Sequence, residues 1–146
     1  MNALQLRKRL GNLGATSAVV VSLLAFSSAA FGQQVKVTLG GDQEVPPVKT
    51  SASGSGTITV NPDKSVSGSV TTMGIAGMAA HIHDGAAGKN GPVIVPLTKS
   101  GDNMWSVPAG AKLTDAQFQE FKGGNLYVNV HSAANKGGEI RGQLKP

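Results

Sequence analysis

Residues 56–71 read GTITVNPDKSVSGSVT, and this stretch decides the fold. Apolar and polar residues alternate on both sides of a turn at Asn61-Pro62-Asp63-Lys64. Proline fixes the backbone angle φ in such a turn, while Asn and Asp side chains bond to the nearby backbone. Alternation with a period of two is typical of a strand that buries one face. We therefore predict a β-hairpin made of strands 56–60 and 65–71.

The same pattern recurs on both sides of this hairpin, with Gly, Pro, Asn and Asp clusters between the runs. Further strands are predicted at 35–39, 79–83, 93–97, 104–107, 126–131 and 139–144. One helix is predicted at 114–122, because Thr114 and Gln117 fit a capping box and Gly123-Gly124 follows. Many short strands at regular spacing indicate an all-β sandwich or barrel, and we expect a Greek-key-type antiparallel β-sandwich with one short helix near residues 114–122.

The N-terminus has the features of an export signal. Arg7-Lys8-Arg9 precedes an apolar run at residues 18–26, and small residues follow as far as Gly32. This order is typical of a cleavable signal peptide, so we expect residues 1–32 to be removed, with cleavage after Ala30 as the alternative. The apolar run is shorter than the ~20 residues that span a bilayer, so no membrane anchor is expected after cleavage. Residues 33–146 are then a single periplasmic or secreted domain.

Charge and cysteine content exclude several classes of function. The predicted mature segment has 10 Lys and Arg residues against 8 Asp and Glu residues, a net charge of +2. That balance, with a single Trp and a single Tyr, does not indicate a nucleic-acid-binding surface. The chain contains no cysteine, so it has neither a disulfide nor a lipidated N-terminal cysteine.

The three histidines lie at predicted strand ends. His81 and His83 belong to one strand and His131 ends a later strand. Side chains alternate along a strand, so His81 and His83 share a face and lie roughly 6 to 7 Å apart at the backbone. If the two strands are neighbours, all three imidazoles converge. The sequence thus predicts a three-histidine metal site.

Imidazole ligands without a thiolate suit copper, or alternatively zinc. A ligating histidine needs a carboxylate or carbonyl at its other ring nitrogen, and Asp84 and Glu139 are the nearest carboxylates in sequence. Met73 and Met78 precede the histidine pair; they could fill the core or supply a thioether to Cu(I). A polar cluster that binds no metal is the alternative interpretation.

Three separated motifs resemble those of the CHRD domain, which is named after chordin and also occurs in stand-alone exported bacterial proteins. The motifs are LGGDQEVPPV at 39–48, HIH at 81–83 with Gly85, Gly88 and NGPV at 90–93, and YVNVH at 127–131 leading to GGEIRGQL at 137–144. The resemblance covers nearly all of the predicted mature segment. It implies a β-sandwich in an extracytoplasmic setting.

A second resemblance is to the copper side of copper-zinc superoxide dismutase. It involves His-x-His before a glycine-rich loop, a late strand ending in Val-Asn-Val-His, and Gly-Glu-Ile-Arg-Gly near the C-terminus. It implies that His81, His83 and His131 bind copper in an immunoglobulin-like or superoxide-dismutase-like sandwich, and that Arg141 attracts an anion. The chain differs in having neither a fourth histidine nor a disulfide pair.

Three functions remain open at this point. A metal-binding exported module is the main hypothesis. A metal-free protein-interaction domain and a superoxide-dismutase-like redox enzyme are the alternatives. No nucleophile is paired with its base in a recognisable motif, so the sequence itself gives no sign of a hydrolase.

Overall fold

The hairpin predicted at residues 56–71 forms two neighbouring strands of the sheet. A computed structural model describes residues 30–146; residues 1–29, and with them nearly all of the predicted signal peptide, lie outside the described residues. Ser53 to Val60 pairs antiparallel with Val66 to Met73 along its whole length. The amide of Lys64 donates to the carbonyl of Asn61 at 2.8 Å, which closes the turn. The predicted hairpin is therefore confirmed, with strands longer than predicted.

Residues 30–146 form nine strands and one α-helix. The strands are β1 (Gln33–Gly40), β2 (Ser53–Val60), β3 (Val66–Met73), β4 (Gly77–Asp84), β5 (Val93–Pro96), β6 (Thr98–Gly101), β7 (Met104–Ser106), β8 (Leu126–Ser132) and β9 (Ile140–Leu144). The helix is α1 (Asp115–Lys122), and a single 3-10 turn at Gly41–Gln43 follows β1. The predicted all-β class with one short helix is confirmed.

The strands form one antiparallel sheet in the order β5-β4-β8-β9-β1-β2-β3-β7-β6. The pairs β4–β8 and β1–β9 join strands far apart in sequence, as in Greek-key folds. The two edge strands β5 and β6 are consecutive, and Leu97 alone separates them. The amide of Leu97 also donates to the carbonyl of Ala80 in β4 at 2.9 Å. The sheet therefore curls into a nearly closed barrel.

The interior of the barrel is filled by the inward face of the strands other than β6. Val35, Val37 and Leu39 of β1 are buried, while the residues between them are exposed. Helix α1 begins with the predicted capping box: the Thr114 side chain accepts from the Gln117 amide, and the Gln117 side chain accepts from the Thr114 amide. Phe121 attaches this helix to the core, since its ring is fully buried.

Two features differ from the sequence-based interpretation. Strand β6 was not predicted, because all four of its residues are exposed and it lacks apolar alternation. Met73 and Met78 do not fill the core: 69% of Met73 and 68% of Met78 is exposed. None of the helices in residues 30–146 is both long and apolar enough to cross a bilayer.

Candidate metal centre

Strands β4 and β8 bring the three histidines together, as the spacing predicts. The two strands are antiparallel neighbours, and His83 is opposite Tyr127 while Ala79 is opposite His131. One ring nitrogen from each of His81, His83 and His131 lies within 4.8 Å of the other two. The three imidazoles therefore form a cluster of the size that can hold one metal ion.

The cluster lies on the outer face of the barrel, yet much of it is buried. Leu126, Val128 and Val130 of β8 face the core, so the residues between them face outward. Two of these outward residues, Tyr127 and Asn129, are nevertheless buried. The loop 85–92 and the segment around Glu44 cover this part of the face.

Backbone carbonyls fix the tautomers of two histidines. Nδ1 of His83 lies 2.8 Å from the Gly91 carbonyl oxygen, and Nδ1 of His131 lies 2.8 Å from the Lys136 carbonyl oxygen. A carbonyl can only accept, so both Nδ1 atoms carry the proton. In the neutral ring, Nε2 of each residue then carries a free lone pair. The acceptors that orient these rings are therefore carbonyls.

The two lone pairs have different surroundings. Nε2 of His131 lies 3.0 Å from Nδ1 of His81, so in the neutral cluster Nδ1 of His81 donates to it. Nε2 of His83 is buried and has no hydrogen-bond partner. A buried polar atom without a partner is costly. A metal ion at this position would satisfy it, and the residues present therefore fit a metal.

Burial favours the neutral form of His81 and His83. It is the main reason why the pKa values of His81 and His83 are lowered from 6.5, and the neighbouring His131 lowers both further. The hydrogen bond to Gly91 and, to a smaller extent, the side chain of the adjacent Asn129 oppose the effect at His83. Because a metal ligand must be unprotonated, these shifts favour metal binding at neutral pH.

Tyr127 and Arg141 form the support behind His83. The rings of His83 and Tyr127 are parallel within 7° at a centroid distance of 4.8 Å. The guanidinium of Arg141 donates to the carbonyl of Lys89 at 2.9 Å and to that of Ala86 at 3.0 Å. Arg141 is 1% exposed. It holds the loop whose Gly91 carbonyl orients His83.

Glu139 and Asp84, the predicted carboxylate supports, contact other groups. Glu139 accepts hydrogen bonds from Thr50 at 2.7 Å and from Ser132 at 2.5 Å, and these bonds lower its pKa. Burial, with a smaller effect of Glu120, raises the pKa of Asp84. The backbone amide of Asp84 donates to Pro92 at 3.0 Å, at the end of the loop. The side chain of Glu139 thus joins Thr50 to Ser132, while Asp84 holds the end of the loop through its backbone.

Glu44 and Asn129 were not predicted to belong to the site. Glu44 is 4% exposed, and burial raises its pKa from 4.5 to about 7, although Arg141 and Asn129 act in the opposite direction. Oε1 of Glu44 and Oδ1 of Asn129 are buried and, like Nε2 of His83, lack a hydrogen-bond partner. Alternation along β8 could have identified Asn129, which lies between Tyr127 and His131. Nothing local to Glu44 predicts its burial.

The fold and the site define an antiparallel β-barrel protein with a half-buried three-histidine cluster on the outer face of its sheet. A family model described as the CHRD domain matches residues 35–144. The chain therefore belongs to the CHRD domain family, and the resemblance seen in the sequence is confirmed. No curated protein and no solved structure matches the chain.

Proposed function

We propose that the protein is an exported binding module that holds one transition-metal ion, copper rather than zinc, through His81, His83 and His131. The single observation that carries the proposal is the free Nε2 of His83, which is buried without a partner beside two further imidazoles. Imidazole nitrogens are ligands for copper and zinc, and no thiolate is available in the chain.

Proton positions support this function. The carbonyls of Gly91 and Lys136 hold two Nδ1 protons away from the cluster. Metal binding then requires only that His81 shift its proton from Nδ1 to Nε2, a change between two neutral tautomers. The orientation of a ligating histidine by a hydrogen bond to its second nitrogen is usual in metal sites.

A metal-free interaction domain is the second candidate. The observation in its favour is the hydrogen bond between His81 and His131 at 3.0 Å, which satisfies both nitrogens without a metal. It leaves the buried nitrogen of His83 unexplained, so we rank it second. A dismutase activity would need a redox-active copper ion, and it is tested by comparing copper-loaded protein with free copper in the same buffer.

The test is a calorimetric titration of purified protein, expressed from the full-length chain, with Cu(II) and with Zn(II). We expect one ion per chain, and no saturable binding in the triple variant His81→Ala, His83→Ala, His131→Ala. Lys99→Ala, an exposed change on edge strand β6, is the control and should bind as the original protein does. Equal binding by the triple variant, or none by the original protein, would falsify the metal-site proposal.

Export has its own test. N-terminal sequencing of protein recovered from the periplasm or the medium should begin at Gln33, or at Phe31 if cleavage follows Ala30. Recovery of uncleaved chain in the cytoplasm alone would contradict this part of the proposal.

A further inference from the structure

Met78 is turned out of the core by a β-bulge. The register between β4 and β8 shifts between Gly77 and Ala79, so Met78 is the extra residue. Strand alternation alone would place Met78 with Ala80 and Ile82, each of which is 1% exposed. Instead 68% of Met78 is exposed. Bulges are frequent next to functional sites, where they redirect a side chain.

The exposure of Met78 has an energetic cost. Burying a side chain of this size stabilises a protein by about 1.5–3 kcal/mol relative to leaving it in water. The inward position at this end of β4 is Gly77, against which Trp105 and Val130 pack, so the bulge leaves the Met78 side chain on the outer surface.

A surface pocket of about 520 Å³ connects Met78 to the histidine cluster. Its walls include Met78, His81 and His131. His83 is buried and does not line the pocket, so the Met78 side chain shares this opening with two of the three histidines. The thioether therefore lies on the side of the cluster that is open to the pocket.

The charges around the cluster favour an ion of low charge. Among residues 30–146, the ligand cluster itself consists of histidines and contains no carboxylate. Lys136 lines the pocket, and the Arg141 guanidinium lies behind Tyr127. A monovalent ion is repelled less by these cations than a divalent one. Thioether sulfur is a soft ligand that selects Cu(I).

We propose that the Met78 thioether is the fourth ligand of the site and makes it a Cu(I) site with three imidazoles and one thioether. This inference rests on the proposed function, since it requires that the histidine cluster bind a metal. It also gives a function to an exposed methionine that shares one pocket with His81 and His131.

The first test compares Met78→Leu with Met73→Leu. Leucine has a similar volume and no sulfur, and both methionines are exposed, so neither change should disturb the core. Cu(I) affinity is measured without oxygen by competition with a chromophoric Cu(I) chelator, and Zn(II) affinity is measured in parallel. Met78→Leu should weaken Cu(I) binding by roughly 10-fold or more, the scale typical of losing a residue that supports a metal site. It should leave Zn(II) affinity unchanged, and Met73→Leu should change neither.

The second test is X-ray absorption at the copper edge of Cu(I)-loaded protein. The chain has no cysteine, so a sulfur neighbour of copper must come from methionine. We expect one sulfur neighbour that disappears in Met78→Leu and persists in Met73→Leu. Cu(I) binding lost in the triple histidine variant but unchanged in Met78→Leu, without a sulfur neighbour, would overturn the role of Met78 alone. Absence of all metal binding by the original protein would overturn both proposals.

Discussion

The guanidinium carbon of Arg141 lies 3.4 Å from the centre of the Tyr127 ring. Tyr127 is on β8, between β9, which carries Arg141, and β4, which carries His83. Its ring is also parallel to the imidazole of His83. Arg141, Tyr127 and His83 therefore form a stack that crosses three neighbouring strands. The stack connects a buried charge, the covering loop and one proposed metal ligand.

The first prediction concerns Arg141→Lys. Lysine keeps the charge, but it lacks the planar group that stacks on Tyr127 and donates to both loop carbonyls. We expect the free energy of unfolding in urea to fall by about 3 kcal/mol, the scale of losing a hydrogen-bonded buried charge. Metal affinity should fall about 10-fold, because the loop that orients His83 loosens. Lys36→Arg on β1 is the control and should change neither quantity. An unchanged free energy of unfolding would contradict this account of Arg141.

The second prediction concerns the pH dependence of stability through Glu44. In the folded protein its pKa is about 7, whereas the ordinary value is 4.5. Below pH 4.5 the carboxyl is protonated in both states, and its contribution to stability is fully present. As pH rises towards 7, Glu44 ionises in the unfolded chain before it ionises in the folded protein, so this contribution is lost. Each pKa unit corresponds to about 1.4 kcal/mol, so the loss approaches about 3 kcal/mol.

Glu44→Gln tests this, because glutamine resembles the protonated acid in shape. The free energy of unfolding is measured at several pH values between 4 and 8 for both proteins. Subtracting the two curves cancels the other titrating groups. The free energy of unfolding of the variant should rise relative to that of the original protein as pH rises from 4.5 to 7. A difference that is independent of pH would show that Glu44 has an ordinary pKa.

The sequence predicts well the features that depend on local patterns. The hairpin around Pro62 and the helix capped by Thr114 follow from turn and cap chemistry that acts within a few residues. The histidine cluster follows from alternation plus one assumption, that β4 and β8 are neighbours. That assumption is a matter of topology, which the local sequence pattern does not determine.

The features that the sequence misses depend on contacts between distant segments. The outward direction of Met78 depends on a bulge that follows from the pairing of β4 with β8. The burial of Glu44 results from contacts with segments far along the chain, near Asn129, Gly138 and Arg141. Strand β6 has no apolar face. It follows Leu97, which connects edge strand β5 to β6 at the other edge of the sheet.

The third prediction concerns Gly138, which packs against Glu44 and Asn129. A Cβ atom at this position would lie 2.4 Å from Oε1 of Glu44 and 2.6 Å from Nδ2 of Asn129, and the backbone has φ +127°. Gly110 also has a positive φ, +82°, but nothing lies within 4 Å of its Cβ position.

Gly110→Ala should therefore show the backbone cost alone, about 1 to 2 kcal/mol. Gly138→Ala adds a clash with two buried polar groups and should cost at least about 3 kcal/mol in urea unfolding. If the two variants lose the same stability, the close packing of Glu44 against Gly138 is not maintained in solution.

The fourth prediction is the pH profile of metal binding. A proton and a metal ion compete for the same imidazole lone pair, so affinity falls once the ligands begin to protonate. Burial lowers the pKa of His81 and His83 below 6.5, and these residues stay neutral to a lower pH than ordinary histidines. Proton competition at these two residues should therefore be small at pH 6.5 and grow below it.

We expect Cu(I) affinity, corrected for the pH dependence of the chelator, to change less than about threefold between pH 7.5 and 6.5 and to decrease steeply towards pH 5. An unstructured peptide with the same three histidines should already lose affinity above pH 6.5. If protein and peptide lose affinity over the same pH range, the fold does not shield these imidazoles from protons.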